Sequence, residues 1–190
     1  IERLGKPIGI QDQYIAAHGG LRFLEFQKNG AIDNQPIRLP SGVKRRLNES
    51  LMLFFTGVTR AADSILTEQK TNMNHNLSAL GAMKAIAYTA RDELCAGNVD
   101  ALGHLLHEYW QLKKNLSSNI SNGVIDEWYQ AARSAGALGG KITGAGGGGF
   151  LLLYCPYDRR EAVRAALSHL RELPFQLEPD GSKVIFNYRR

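Results

Sequence analysis

Cross-linking and metal-binding residues are scarce in this sequence. Only two cysteines occur in 190 residues, Cys95 in a helical stretch and Cys155 at the end of an apolar run, and their spacing suits neither a disulfide framework nor a metal site. Reduced, buried thiols are expected at both positions. The histidines, His18, His75, His104, His107 and His169, show no ligand spacing either, so no metal held by this chain's side chains is expected. No run of 18 apolar residues and no secretory apolar segment is present, and the expectation is a soluble, cytoplasmic protein without a membrane partner.

Charge is present, but not in the arrangement that nucleic acid needs. The net charge is +5, yet the basic clusters are short, Lys44-Arg45-Arg46, Arg159-Arg160 and Arg189-Arg190, and no aromatic residues are interleaved with them. An anionic small molecule fits this distribution better than a nucleic acid or a lipid surface.

Glycine is what the sequence has in excess, and in one place. Seven of the eleven residues from Gly139 to Gly149 are glycine, and the run is closed by Phe150-Leu151-Leu152-Leu153-Tyr154. Glycine loses more backbone entropy on ordering than any other residue, so such a run implies positive φ or close approach to another group. Consecutive N–H groups facing one concavity would bind an anion. The alternative is a turn that only lets two elements pack tightly. Gly144-x-Gly146-x-x-Gly149 matches the dinucleotide fingerprint as a pattern, but a helical pattern precedes it and a strand follows, the reverse of the order that fingerprint requires. A Walker loop fails too, because Lys141 is followed by Ile142 rather than by Ser or Thr.

The hydrophobic pattern predicts a mixed fold. Residues 9–17 read as a helix, residues 21–26 as a strand, and Ile37-Arg38-Leu39 as its partner across Asn29-Gly30. Pro40 and Ser41-Gly42 mark a boundary, giving domains at 1–40 and 41–190. Leu51 to Thr56 is a continuously apolar strand. Four helices follow: residues 58–68; a helix with Leu80, Met83, Ala87, Ala90 and Leu94 on one face; one starting after a Gly97-Asn98 cap with Leu102, Leu105, Leu106, Tyr109, Leu112 and Leu116 as its stripe; and residues 122–136, with Ile125, Trp128, Ala132 and Ala135. A strand at Phe150, a helix over 158–170 and a hairpin of 175–178 with 184–188 across Pro179-Asp180-Gly181 complete the chain. The class is α+β, an antiparallel sheet layered with helices.

Two segments together resemble the GHMP kinases. Gly9-Ile10-Gln11-Asp12-Gln13-Tyr14-Ile15-Ala16-Ala17-His18-Gly19-Gly20 is similar to the segment carrying their catalytic aspartate, and Gly144 to Gly149 to their third motif. Phe54-Phe55-Thr56-Gly57-Val58-Thr59-Arg60, Ile125-Asp126-Glu127-Trp128-Tyr129 and Gly139-Gly140-Lys141 resemble the bacterial heptose-phosphate kinases of that superfamily. The resemblance implies an ATP-dependent sugar kinase using Mg2+, with a heptose phosphate as acceptor, or alternatively a galactokinase- or fucokinase-like enzyme or a non-catalytic sugar-binding regulator. It makes Asp12 the catalytic base, Gly9, Gln11, Gln13 and Tyr14 candidate sugar contacts, and Lys141, Gly144, Ala145, Gly146, Gly147 and Gly148 the phosphate or nucleotide loop. Gln11, Gln13 and Tyr14 could equally brace their helix, and Lys141 and Arg60 are candidate phosphate contacts or surface charges.

The family's second motif, Pro-x-x-x-Gly-Leu-Gly-Ser-Ser, does not occur in the sequence. The chain accordingly reads as the C-terminal portion of a kinase, inactive alone, whose N-terminal half is its partner and supplies most of the magnesium ligands.

Overall fold

Apolar residues recurring every three to four positions make helices, and the computed structural model, which describes residues 8–58 and 62–186, contains them where that period is strongest. The described chain divides into two compact units, residues 39–175 and residues 8–38 with 176–186.

In the larger unit a four-stranded antiparallel sheet has the order β4-β5-β3-β6. Its strands are β3 (Leu51–Phe55), β4 (Gly139–Ile142), β5 (Phe150–Tyr154) and the short β6 (Arg171–Glu172). β3 runs against β5 from Leu51 opposite Tyr154 to Phe55 opposite Phe150, and β4 pairs Ile142 with Leu151. The helices are α2 (Ser41–Ser50), α3 (Ala62–Thr71), α4 (Leu77–Cys95), α5 (Val99–Lys114), α6 (Gly123–Ser134) and α7 (Arg160–Ala166). Met52 and Phe54 of β3, Leu151 and Leu153 of β5, Trp110 of α5, Ile125 and Tyr129 of α6, and Val163 of α7 meet in one core.

Close backbone approach sets the distance between α5 and the sheet. A Cβ on Gly139 would lie 2.0 Å from the carbonyl oxygen of Gly103, and one on Gly103 would lie 2.6 Å from the Leu138 Cβ. Tyr154 of β5 reaches past this contact and donates its hydroxyl to Asp100 at 2.6 Å.

Several expectations need correction. α2 was not foreseen. The buried face of α5 is Val99, Gly103, Trp110 and Lys113, while the leucines of the expected stripe at 102, 105, 106 and 112 are half-buried beside it. Ala87 is exposed on α4. Asn98 does not cap α5 through its side chain, whose amide donates to Glu93 instead. Cys155 is buried, but Cys95 is exposed; both are free thiols.

In the smaller unit, α1 (Gln11–His18) precedes a hairpin of β1 (Arg22–Phe26) and β2 (Ile32–Pro36). The return strand thus starts earlier than Ile37, whose N–H instead donates to Leu21 just beyond the ladder. Residues 175–186 form no hairpin strand. Asp180 and Gly181 lie against the end of α1: Gly20 N–H donates to the Glu178 carbonyl and Ser182 N–H to that of Ala16, each at 3.0 Å. Residues 176–186, expected with the second domain, are therefore bonded to the first segment. The expected strand's last residues, 187 and 188, lie outside the described chain.

Candidate active site

The sequence-derived site residues fall into two groups, one in each unit. In the smaller unit, Gln11, Asp12, Gln13 and Tyr14 occupy the start of α1, and Gly9 lies just before it. Asp12 is in the first turn and exposed, and among the described residues nothing bonds to its carboxylate. Gln13 braces the turn, since its side-chain nitrogen can donate to the carbonyls of Gly9 at 3.3 Å and Ile10 at 3.2 Å. Gln11 folds over Gly9, where a Cβ would meet its Oε1 at 2.1 Å. The Tyr14 ring lies 5.9 Å from that of His18. The far end of α1 is fixed by Arg22, which donates to the carbonyls of Gly19 and His18 and to the Asn34 side chain.

In the larger unit, the glycine run is half strand and half turn. Gly139–Ile142 belong to β4, so Lys141 sits on a strand, and residues 143–149 connect it to β5. Its ammonium lies 5.1 Å from the centroid of the Tyr109 ring. The turn is bonded from several sides. Gly147 N–H donates to the Ile120 carbonyl at 2.8 Å and Gly149 N–H to that of Val58 at 2.7 Å. The Thr56 hydroxyl donates to the Gly149 carbonyl at 2.9 Å. Gly148, at φ +156, comes so close to Val58 that a Cβ would stand 2.6 Å from its carbonyl oxygen.

The Ile120 support is itself anchored. Glu68 on α3 accepts the Ser117 hydroxyl at 2.7 Å and the Ser118 N–H at 3.0 Å. These bonds, the Ser118 amide foremost, hold its carboxyl below the usual range. Because Gly147's amide is committed to Ile120, the expectation that it offers its N–H to a phosphate does not hold in this conformation. Beside the turn is a cavity of about 330 Å³ whose walls include Thr56, Val58, Asn122, Glu127 and Trp128, large enough for a small-molecule group. Arg60 and Thr59 lie outside the described residues.

One residue here was missed entirely. Lys113, on the buried face of α5 and 6% exposed, donates to the Gly144 carbonyl at 2.6 Å. Burial and the neighbouring Lys141 charge lower its pKa from 10.5 to about 8. Its signal in the sequence is spacing, since it follows Gly103 by ten positions and Trp110 by three. Six residues before Lys113 on the same helix, His107 Nδ1 and the Tyr129 hydroxyl lie 2.7 Å apart. Burial pushes Tyr129 up to about 12 and His107 down.

The family described as GHMP kinases C terminal matches residues 90–172, from the second half of α4 to β6. Residues 90–172 thus form a GHMP kinase C-terminal domain. The chain's relatives include a D-glycero-alpha-D-manno-heptose 7-phosphate kinase of Campylobacter jejuni, 31% identical over 93% of this chain and 54% of that protein. An L-fucokinase/L-fucose-1-P guanylyltransferase of Bacteroides fragilis is 30% identical over 82% of this chain and 17% of its own length. A solved structure, a D-glycero-D-manno-heptose 1-phosphate kinase of Bacteroides thetaiotaomicron, superposes with a TM-score of 0.69 at 27% identity, covering 97% of this chain and 52% of that one. The chain thus spans about half the length of the heptose-phosphate kinases it matches.

The GHMP domain is an α+β fold, as the sequence pattern implied. Among the described residues no helix is long and apolar enough to cross a membrane, and no three His, Cys, Asp or Glu side chains gather in a way that could hold a metal ion.

Proposed function

We propose that this chain works as part of an ATP-dependent kinase that transfers the γ-phosphoryl group to a hydroxyl, the anomeric one, of a heptose phosphate. The observation that carries the reading is the 31% identity, over 93% of the chain, to a protein named as a heptose 7-phosphate kinase. Turnover then requires a further nucleotide-binding loop that residues 1–190 do not contain, and these residues alone are inactive.

Phosphoryl transfer has a loose transition state, so the protein's work is positioning and charge stabilisation rather than bond-making. The carboxylate of Asp12 is a weak base for an alcohol at the outset. As the bond to phosphorus forms, the hydroxyl acidifies, and a carboxylate in hydrogen-bond reach orients it and takes its proton. An exposed carboxylate to which no described residue bonds suits that task. Gly9, Gln11 and Tyr14 are assigned to the sugar, with Gln13 bracing the turn beneath them. The glycine turn fits a phosphate: its glycines at 144, 146 and 148 have positive φ, and its shape is fixed before any ligand arrives. The remaining loop amides, Gly144, Ala145, Gly146 and Gly148, and the Lys141 ammonium are assigned to phosphate oxygens. Magnesium would neutralise charge on the phosphates, but the described residues gather no ligand set for it, and no step here is assigned to it.

Replacing Asp12 with Asn in the full-length enzyme is expected to leave sugar affinity within about twofold and to lower kcat by about 10²–10⁴. Undiminished turnover would remove Asp12 as the base. Offering heptose 7-phosphate, galactose and fucose with ATP, and reading the product by phosphorus NMR, tests the acceptor. Preferential use of galactose or fucose would refute the heptose assignment.

A further inference from the structure

Lys113 is the only buried charged side chain among the described residues. Lysine is almost never buried without a partner of opposite charge. Here no described carboxylate pairs with it, and the charge that acts on it is a second cation, Lys141 on β4. Its neighbour Lys114 shows the ordinary solution, pairing with Asp126 at 3.2 Å.

We propose that Lys113 is a phosphate-binding residue of the glycine turn, its ammonium grouped with Lys141 and the amides of Gly144 and Ala145 to receive a phosphoryl group. The proposal deepens the kinase reading and rests on it for which phosphate arrives.

Three observations support it. First, an ammonium carries three donors, and the Gly144 carbonyl accepts one of them, which leaves two for an incoming oxygen. Second, holding a carbonyl needs only a neutral donor, whereas Lys113 brings a charge into a site already repelled by Lys141. An anion relieves both the burial and the repulsion. Third, the carbonyl it holds belongs to Gly144, at the exposed tip of the turn with φ +68, so the ammonium is fixed at the place where the chain reverses. Burial and the Lys141 charge are the two influences on its protonation; the turn itself, residues 143–149, has no ionisable side chain.

The test uses the full-length protein with inorganic tripolyphosphate as probe, at fixed pH and salt, with lysines labelled at Cε for NMR. The expected results are saturable binding that raises the Lys113 titration midpoint by at least one pH unit, and at least tenfold weaker binding in Lys113→Met with no loss of thermal stability. Lys113→Arg should bind more tightly than Lys113→Met. An unmoved Lys113 midpoint at saturation, or unchanged affinity in Lys113→Met, would overturn the proposal. Should Lys113→Met fail to fold, the midpoint in the parent protein decides alone. If Lys113 fails these tests while Asp12→Asn still abolishes turnover, Lys113 leaves the phosphate site and the kinase reading stands. Tripolyphosphate binding through Lys113 together with turnover indifferent to Asp12 would keep Lys113 in the phosphate site and remove Asp12 from the chemistry.

Discussion

A lysine held near pKa 8 instead of 10.5 costs the folded chain about 3 kcal/mol while it stays charged, at roughly 1.4 kcal/mol per unit. Lys113→Met, of similar shape and without charge, should therefore raise the unfolding free energy at pH 7 by about 1–3 kcal/mol after loss of the Gly144 bond, as read from urea melts. Between about pH 8 and 10.5 the unfolded lysine keeps its proton while the folded one has lost it, so the parent gains stability as pH rises. The advantage of the Met variant should shrink across that window. Comparing the two proteins isolates Lys113 from Cys155, raised to about 11, and Tyr129, raised to about 12, which titrate in both. If Lys113→Met were less stable than the parent at every pH, the lysine would be a structural brace. Lysine was hard to read here because a basic residue in the last turn of a helix ordinarily answers the helix dipole and faces water. Asp12, by contrast, is singled out only by its neighbours: alone it is one more first-turn acid, and the role proposed for it comes from Gly9 to Gly20 as a segment.

Among the elements, the contact of α5 with β4 is the most sensitive to added volume. Gly139→Ala places a methyl against the Gly103 carbonyl, and neither backbone can yield without moving a helix or a strand. A loss of about 2–3 kcal/mol is expected, measured by thermal unfolding; a neutral result would mean that α5 shifts freely on the sheet. Gly148→Ala acts more locally, combining an unfavourable φ with a clash at Val58. It should release the Gly149 N–H from the Val58 carbonyl, which amide hydrogen exchange at Gly149 would report as faster exchange. Long periodic helices were legible: α4, α5 and α6 lie close to where three- and four-residue spacing put them. α2 was not, because Ser41–Ser50 has only Val43 and Leu47 as apolar residues among Lys44, Arg45 and Arg46, and reads as a charged linker. The expected late hairpin failed for a different reason. Pro179-Asp180-Gly181 has turn chemistry, but tertiary contact with the end of α1 uses those residues, and local preference yields to it.

At the scale of the whole chain, apolar burial is unequal. Every fully buried hydrophobic residue among those described belongs to residues 39–175, while α1 has none and the strands β1 and β2 are at most half-buried. Native-state hydrogen exchange should accordingly find the slowest amides in β3 and β5, with α1 and the β1–β2 hairpin exchanging orders of magnitude sooner. Equal protection throughout would contradict this picture. Sequence periodicity could reveal the sheet unit, since burial dictates pattern there. In residues 8–38 the helix and the first strand were legible, but the return strand was placed too late, because Ile32–Pro36 carries little hydrophobic alternation.

The bond from Ser182 to Ala16 joins positions 166 residues apart. Deleting residues 176–186 would leave the pairings of the four-stranded sheet intact and remove the bonds that Glu178 and Ser182 make with the end of the helix that bears Asp12. Under the kinase proposal, such a variant should keep its sheet unit folded and lose turnover, as if Asp12 itself had been replaced.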